Sequence, residues 1–567
     1  MKIILKEYLA SIKERGDLDK SVIPNLLSEI GLRVLNTPMI GTRQNGVDIA
    51  AVGKIKNKDN QQYLYLFCIK AGNISRNDWS SGPQAVRPEL EEIKDVYIRS
   101  NIAREYQHLP IKICLCCGGE LEETILTNWS GYTNNNTTDL ISYEEWNGDR
   151  LADLMMQCLL ARELLDEEPR RNFQKAVAMV NEPSACYDYT NAFLRNLLLG
   201  EFSSRKDQLL RLRQSFICLH AVIAWSDEAK NLEGAYKVSE LGVMLCWGSV
   251  RKDVFKKKPT KHDRALTTLL DQFLKLYLST SDKYLKKTVY SHGDDLHALS
   301  AAVTSAGPVD VNLAMFELLG RIAVRGIWTD HFSRLFSESD PDISKEFLDS
   351  TDSTIDKMIS VINSNPTLCS PIKDDHMIEI SLVMYLANLT NSAFRFLPWL
   401  HSITDRTTFA LTTNFFYPTC IQEYGELIRH PKSADQSYLN EACAGSILYP
   451  YLYCWIQHTT NDKQHIEEFV NRLNLKIPNC NHQAWFPDET SDNLIWHGNT
   501  YHGVCISGLS PENGIEAVSE KLNSAIQACT AINEISAVKV GLTPLLLTAL
   551  RHYRLPIPPN FWFAKSE

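Results

Sequence analysis

The spacing of apolar residues changes along the chain. Early segments mix helical and strand periods, and later ones keep the helical period alone. Residues 4–15 and 21–32 predict amphipathic helices. In the second, Ile23, Leu26, Leu27 and Ile30 form one stripe, Pro24 sits near the start and Gly31 supplies the stop. Residues 47–52 and 62–70 predict strands joined by a polar turn over 54–60. Helix follows over 88–101, strand over Ile111–Cys117 and helix over 119–128, and a strand over 139–143 then leads into a helix over 149–165.

From about residue 170 the strand pattern fades. The clearest helix is 264–278, where Leu266, Leu269, Leu270, Phe273, Leu274 and Tyr277 follow a helical stripe. Further helices are predicted over 206–224, 311–324, 345–362, 377–389, 439–457, 514–532 and 541–553. No fixed period of 30 to 50 residues recurs. Residues 479–511 interrupt the pattern with Trp485, Phe486, Pro487, Gly498 and Gly503. His482, His497 and His502 there match no metal-ligand spacing, so the segment reads as a loop packed by its aromatics. The expected organisation is an α/β domain over 1–165 and a large all-α region over 166–567, an irregular helical array with a subdivision near 400–435.

Composition narrows the class. The 567 residues are 44% hydrophobic and 22% charged, which excludes wholesale disorder. The longest apolar runs fall far short of the roughly 20 residues a bilayer span needs, and the opening residues carry no secretory pattern, so no membrane partner and a cytoplasmic location are expected. The 15 cysteines are scattered, as befits reduced thiols. Cys114, Cys116 and Cys117 lie in a predicted strand, where cysteine serves as a small hydrophobe.

Candidate chemistry gathers on the two early strands. A turn centred on Asp59 would set Asp48 opposite Lys70, with Cys68 on the same face two residues before. The preceding helix carries Glu29 on the flank of its apolar stripe, near the same end of the sheet. Carboxylates hold Mg²⁺ through hard oxygens, the ion polarises a phosphodiester and acidifies water, and a nearby lysine orients that water or offsets developing charge.

In this arrangement residues 1–165 resemble the PD-(D/E)xK restriction-endonuclease-like superfamily, particularly its Mrr-like branch. The resemblance rests on a helix with Glu29, on Gly46-Val47-Asp48-Ile49, and on Cys68-Ile69-Lys70, where the family has Glu-x-Lys or Gln-x-Lys. The later strand Ile111–Cys117 and the strand-to-helix unit from Leu140 to Met155 add to it. It implies a central mixed sheet flanked by helices and a Mg²⁺-dependent (or Mn²⁺-dependent) nuclease acting on nucleic acid, with DNA favoured and a prokaryotic defence or restriction setting. Asp48, Lys70 and Glu29 would be catalytic, and Asp48 and Glu29 would be metal ligands. Cys68 departs from the pattern, because a thiol is a poor partner for Mg²⁺. Three solutions stand open: an acid relocated to the next helix, with Glu89 or Glu92 as candidates and Glu92 carried forward as a metal ligand; Glu29 and Asp48 sufficing with a backbone carbonyl; or a catalytically inactive nuclease fold that binds nucleic acid or scaffolds a complex. The helical region would regulate, recognise, hold protein partners or self-associate.

Two basic stretches are candidates for phosphate contact. Lys54, Lys56 and Lys58 lie on the hairpin turn, and Lys256, Lys257 and Lys258 centre a run of seven cations over 251–264. Phosphate-loop, nucleophile-elbow and His-Glu-x-x-His patterns are not found in the sequence.

Overall fold

The computed structural model describes residues 2–12, 18–36, 45–55, 61–81, 85–158, 167–303, 305, 307–460, 462–511 and 514–563. Two compact units emerge: Met1–Cys246 with Lys256–Tyr277, and Trp247–Phe255 with Leu278–Glu567. The change of sequence pattern near residue 165 therefore lies inside the first unit, and residues 400–435 lie inside the second.

The first unit is built on a five-stranded mixed sheet. After helix α1 (Lys2–Ser11), a π-helical turn runs into α2 (Ile23–Glu29), which has a proline in its first turn. Gly31 adopts φ +97°, which a side chain would resist, so the helix ends there. Leu32 then opens a strand, β1 (Leu32–Val34), instead of closing the helix predicted through it. The strands β2 (Ile49–Gly53), β3 (Tyr63–Lys70), β4 (Ile111–Cys117) and β5 (Ile141–Trp146) follow in spatial order. The pairs β1–β2 and β2–β3 are antiparallel, and β3–β4 and β4–β5 are parallel. Parallel pairing requires crossovers, and helices α3 (Arg76–Ser80), α4 (Val86–Glu92) and α5 (Glu123–Asn136) lie in those connections.

One face of this sheet packs Ala50, Val52, Leu64, Leu66, Cys68, Ile113 and Leu115 against Trp79, Val86, Leu90 and Ile93 of the crossover segments. On the other, Phe67 meets Trp146 edge-on with ring centroids 5.1 Å apart. All seven residues of β4 are buried, its three cysteines included, as a strand covered on both faces demands. Helix α6 (Gly148–Cys158) follows β5 and packs with α1 and α2. Later helices of the same unit include α7 (Arg205–Glu228) and α8 (Leu232–Val250), whose last residues pass into the second unit.

The second unit is organised by α9 (Pro308–Phe336), which packs on α10 (Pro341–Ser364), α11 (Met377–Leu389) and α13 (Thr543–His552). Trp328 is buried and donates its indole N–H to Thr548 at 3.2 Å. The helix predicted over 439–457 is interrupted: a short strand, Gly445–Ser446, precedes α12 (Leu448–Thr460). The segment 479–511 contains a small antiparallel pair, Ala484–Phe486 with Val504–Ile506, and a turn of helix, Ser491–Trp496. Its histidines go to separate partners: His482 meets Tyr453 at 3.3 Å, His497 the Asn493 carbonyl at 2.5 Å and His502 the Ser491 hydroxyl at 2.8 Å. Among the described residues, no helix is long and apolar enough to cross a membrane.

Candidate active site

The antiparallel ladder between β2 and β3 runs from Gly53↔Tyr63 to Ile49↔Phe67. This register is displaced by two residues from the one that a turn at Asp59 would give, so Asp48 does not face Lys70. Asp59 and the centre of that turn lie outside the described residues. The physical reason is plain: a two-residue slip keeps every side chain on its own face, so the hydrophobic alternation cannot distinguish the two registers.

Asp48 takes up a different task where the ladder ends. Its N–H donates to the Phe67 carbonyl at 2.8 Å, and its carboxylate accepts the N–H of Ile69 at 2.7 Å. The side chain thus replaces a backbone carbonyl as the partner of the next strand amide, and Asp48 is buried there with 4% exposure. Ile69 lies between Cys68 and Lys70, so the Asp48 carboxylate is held against the middle of that tripeptide.

Glu89 of α4 approaches the same tripeptide. Its Oε2 lies 2.9 Å from Lys70 Nζ and accepts from Cys68 Sγ at 3.0 Å. Both charged side chains are largely buried, at 13% and 12% exposure, where an ion pair is weakly screened. The Lys70 charge also reaches α3: Asp78 is held below the usual carboxylate range first by the Ser75 hydroxyl and, more weakly, by Lys70. Of the two acids weighed on α4, Glu89 meets Cys68 and Lys70, and Glu92 lies half-buried nearly one turn further on. A three-residue spacing keeps the two acids neighbours on the helix surface, so the sequence alone could not choose between them.

Glu29 stands elsewhere. It ends α2 and is ion-paired with Arg213 of α7, both side chains mostly buried. Its carboxylate is committed to holding a helix of the first unit, which corrects the expectation that it joins Asp48 as a ligand. Among the described residues, no three His, Cys, Asp or Glu side chains form a ready metal cage. Asp48 and Glu89 do offer hard oxygen donors that both touch residues 68–70, and magnesium commonly takes one or two protein carboxylates, completing its shell with water and phosphate.

On the opposite face lies a charged group that the sequence reading missed. Lys112 is buried in β4, 3.1 Å from Glu144, with its ammonium 4.1 Å from the centre of the Tyr63 ring. Glu144 also accepts from Arg150 at 2.6 Å and from the Trp146 indole at 3.0 Å. A lysine inside an otherwise apolar strand was the available signal; with its partners in place the group is a satisfied core network.

The basic stretches divide. Lys54 is described just beyond β2, whereas Lys56 and Lys58 lie outside the described residues. Lys257 and Lys258 are exposed on the loop after α8, and Lys256 lies 3.2 Å from Asp263. Arg251 is withdrawn from that run, its side chain only 7% exposed and paired with Asp492 at 3.3 Å. Comparison with protein-family models, curated proteins and solved structures yields no match.

Proposed function

We propose that the first unit is a metal-dependent phosphodiesterase acting on nucleic acid, with DNA the favoured substrate. The observation that carries this reading is the convergence of Asp48, Glu89 and Lys70 on one strand end, from three separate elements of the sheet domain. The resemblance to restriction-endonuclease-like enzymes supports it, as does the antiparallel-then-parallel order of the strands that carry these residues. Glu89 occupies the role left vacant by Cys68.

Asp48 and Glu89 are the residues that would hold the divalent ion, which when bound supplies Lewis-acid activation of the phosphodiester and of water. Lys70, whose ammonium is fixed against Glu89, orients the attacking water and offsets negative charge developing on the phosphorus oxygens. The Ile69 N–H fixes the Asp48 carboxylate, so this ligand needs little reorganisation. Lys54 follows the end of β2 opposite Asp48, so a phosphate that it meets would lie away from the scissile bond.

The test is incubation of the full chain with plasmid DNA and with RNA in Mg²⁺ or Mn²⁺. Nicking by the wild type that is lost in Asp48→Ala, Glu89→Ala and Lys70→Ala supports the reading. Absence of cleavage, or cleavage that survives all three substitutions, overturns it and leaves the nucleic-acid-binding or scaffolding alternative.

A further inference from the structure

The second unit holds a cavity of about 750 Å³, a volume suited to a small organic molecule. Six separate parts of the chain form it, around residues 374–378, 420–422, 444–447, 481–483 and 553–556 and at Thr500. None of its residues belongs to the chemistry proposed for the first unit.

Of the charged side chains lining this cavity, Asp375 and Arg554 are paired with each other and Asp374 is held by hydrogen bonds. Asp375 lies 3.1 Å from Lys373 and 3.1 Å from Arg554, and Arg554 also pairs with Glu379, which is fully buried. Lys373 donates in addition to Gln422 at 3.0 Å. Asp374 accepts from the Ser446 hydroxyl and from the N–H groups of Ile447 and Leu448, at 2.9 and 3.2 Å, and so caps α12. A ligand carrying a full charge of either sign would have to disrupt these pairs, which is costly for buried ions.

The neutral polar groups are in the opposite condition. The side-chain amides of Asn481 and Gln483 and the hydroxyl of Thr500 line the cavity, open to water and with no protein hydrogen-bond partner among the described residues. Each amide presents a donor and an acceptor side by side, the arrangement that matches the edge of a nucleobase. Met377, Ile378, Ile447 and Pro556 supply the apolar part of the wall. A flat heterocycle can cover that surface, whereas a hexose would leave hydroxyls against it without partners.

We propose that this cavity binds an uncharged nucleoside, its base edge read by Asn481 and Gln483 and its ring covering the apolar wall. The experiment is calorimetric titration of the full chain with adenosine, guanosine, cytidine and uridine, with their 5′-monophosphates, and with methyl glucoside. The expected result is saturable binding of at least one nucleoside, no tighter binding of its monophosphate and none of the glucoside. Gln483→Leu and Asn481→Leu, both at partly or fully exposed positions, should each weaken binding about tenfold with an unchanged melting temperature. Absence of binding by all four nucleosides, a preference for the monophosphate or the glucoside, or undiminished affinity in both variants overturns the proposal. The outcome does not depend on whether the first unit cleaves nucleic acid.

Discussion

Gly46 packs directly on the backbone carbonyl of Glu89, so closely that a Cβ at this position would overlap that oxygen. Its φ of +78° is a second reason for glycine. This contact ties the segment leading into Asp48 to the helix that delivers Glu89. Gly46→Ala is therefore expected to combine left-handed strain with a steric clash, costing about 2 kcal/mol or more of stability. Thermal or denaturant unfolding measures that loss, and unchanged stability would refute the close contact.

Glu89 and Glu92 share a short helix but are assigned different importance. Glu89→Gln preserves shape while removing the charge that faces Lys70, and it should lower cleavage about 10²–10³-fold. Glu92→Gln should leave cleavage within a few-fold of wild type. Initial rates of plasmid nicking for the two variants decide the matter, and equal loss in both would argue against the selective role of Glu89.

The Glu29–Arg213 pair should be a stability element. Because both side chains are mostly buried, removing one partner strands the other's charge, at a cost of about 3 kcal/mol. Glu29→Gln and Arg213→Leu are each expected to lower the unfolding midpoint, with the double variant recovering part of the loss. Cleavage per folded molecule should remain near wild type in all three; specific loss in Glu29→Gln alone would return Glu29 to the active site.

Acid should destabilise the second unit through two buried histidines. Burial lowers His430 and His482 from the usual imidazole value near 6.5 to about 4. The unfolded chain therefore binds more protons than the folded one between these limits, and stability falls as pH drops from about 6.5 to about 4, by on the order of 3 kcal/mol per histidine. Asp374 acts in the opposite sense over nearly the same range, since burial raises it to about 6, and below pH 6 it offsets about one of the two histidines. Denaturant unfolding at pH 7 and pH 5 tests this. His482→Phe should flatten the dependence, and a profile identical to wild type would contradict the assignment.

The hydrophobic pattern was sufficient to locate β3 and β4, because continuous runs such as 64–69 and Ile111–Cys117 suit strands covered on both faces. It also located Met377–Leu389, a helix apolar on nearly every side. It was insufficient for β1, a three-residue strand that acquires its identity from pairing with β2. Asp48 and Lys70 were recognisable as chemistry-bearing positions beside a turn and at a strand end. Their relationship was not, since alternation defines a register only to within two residues and the connecting turn carries no marker strong enough to choose.

Local sequence thus determined which segments become strands or helices and which polar residues stand at their ends, because those choices follow from side-chain periodicity and backbone preference over a few neighbours. Tertiary structure alone decided that Glu89 meets Lys70, that Glu29 meets Arg213 across 184 positions, and that a cavity forms from distant segments of the second unit. These pairings depend on how whole elements dock, and docking is fixed by the sum of many packing contacts that no short stretch of sequence contains.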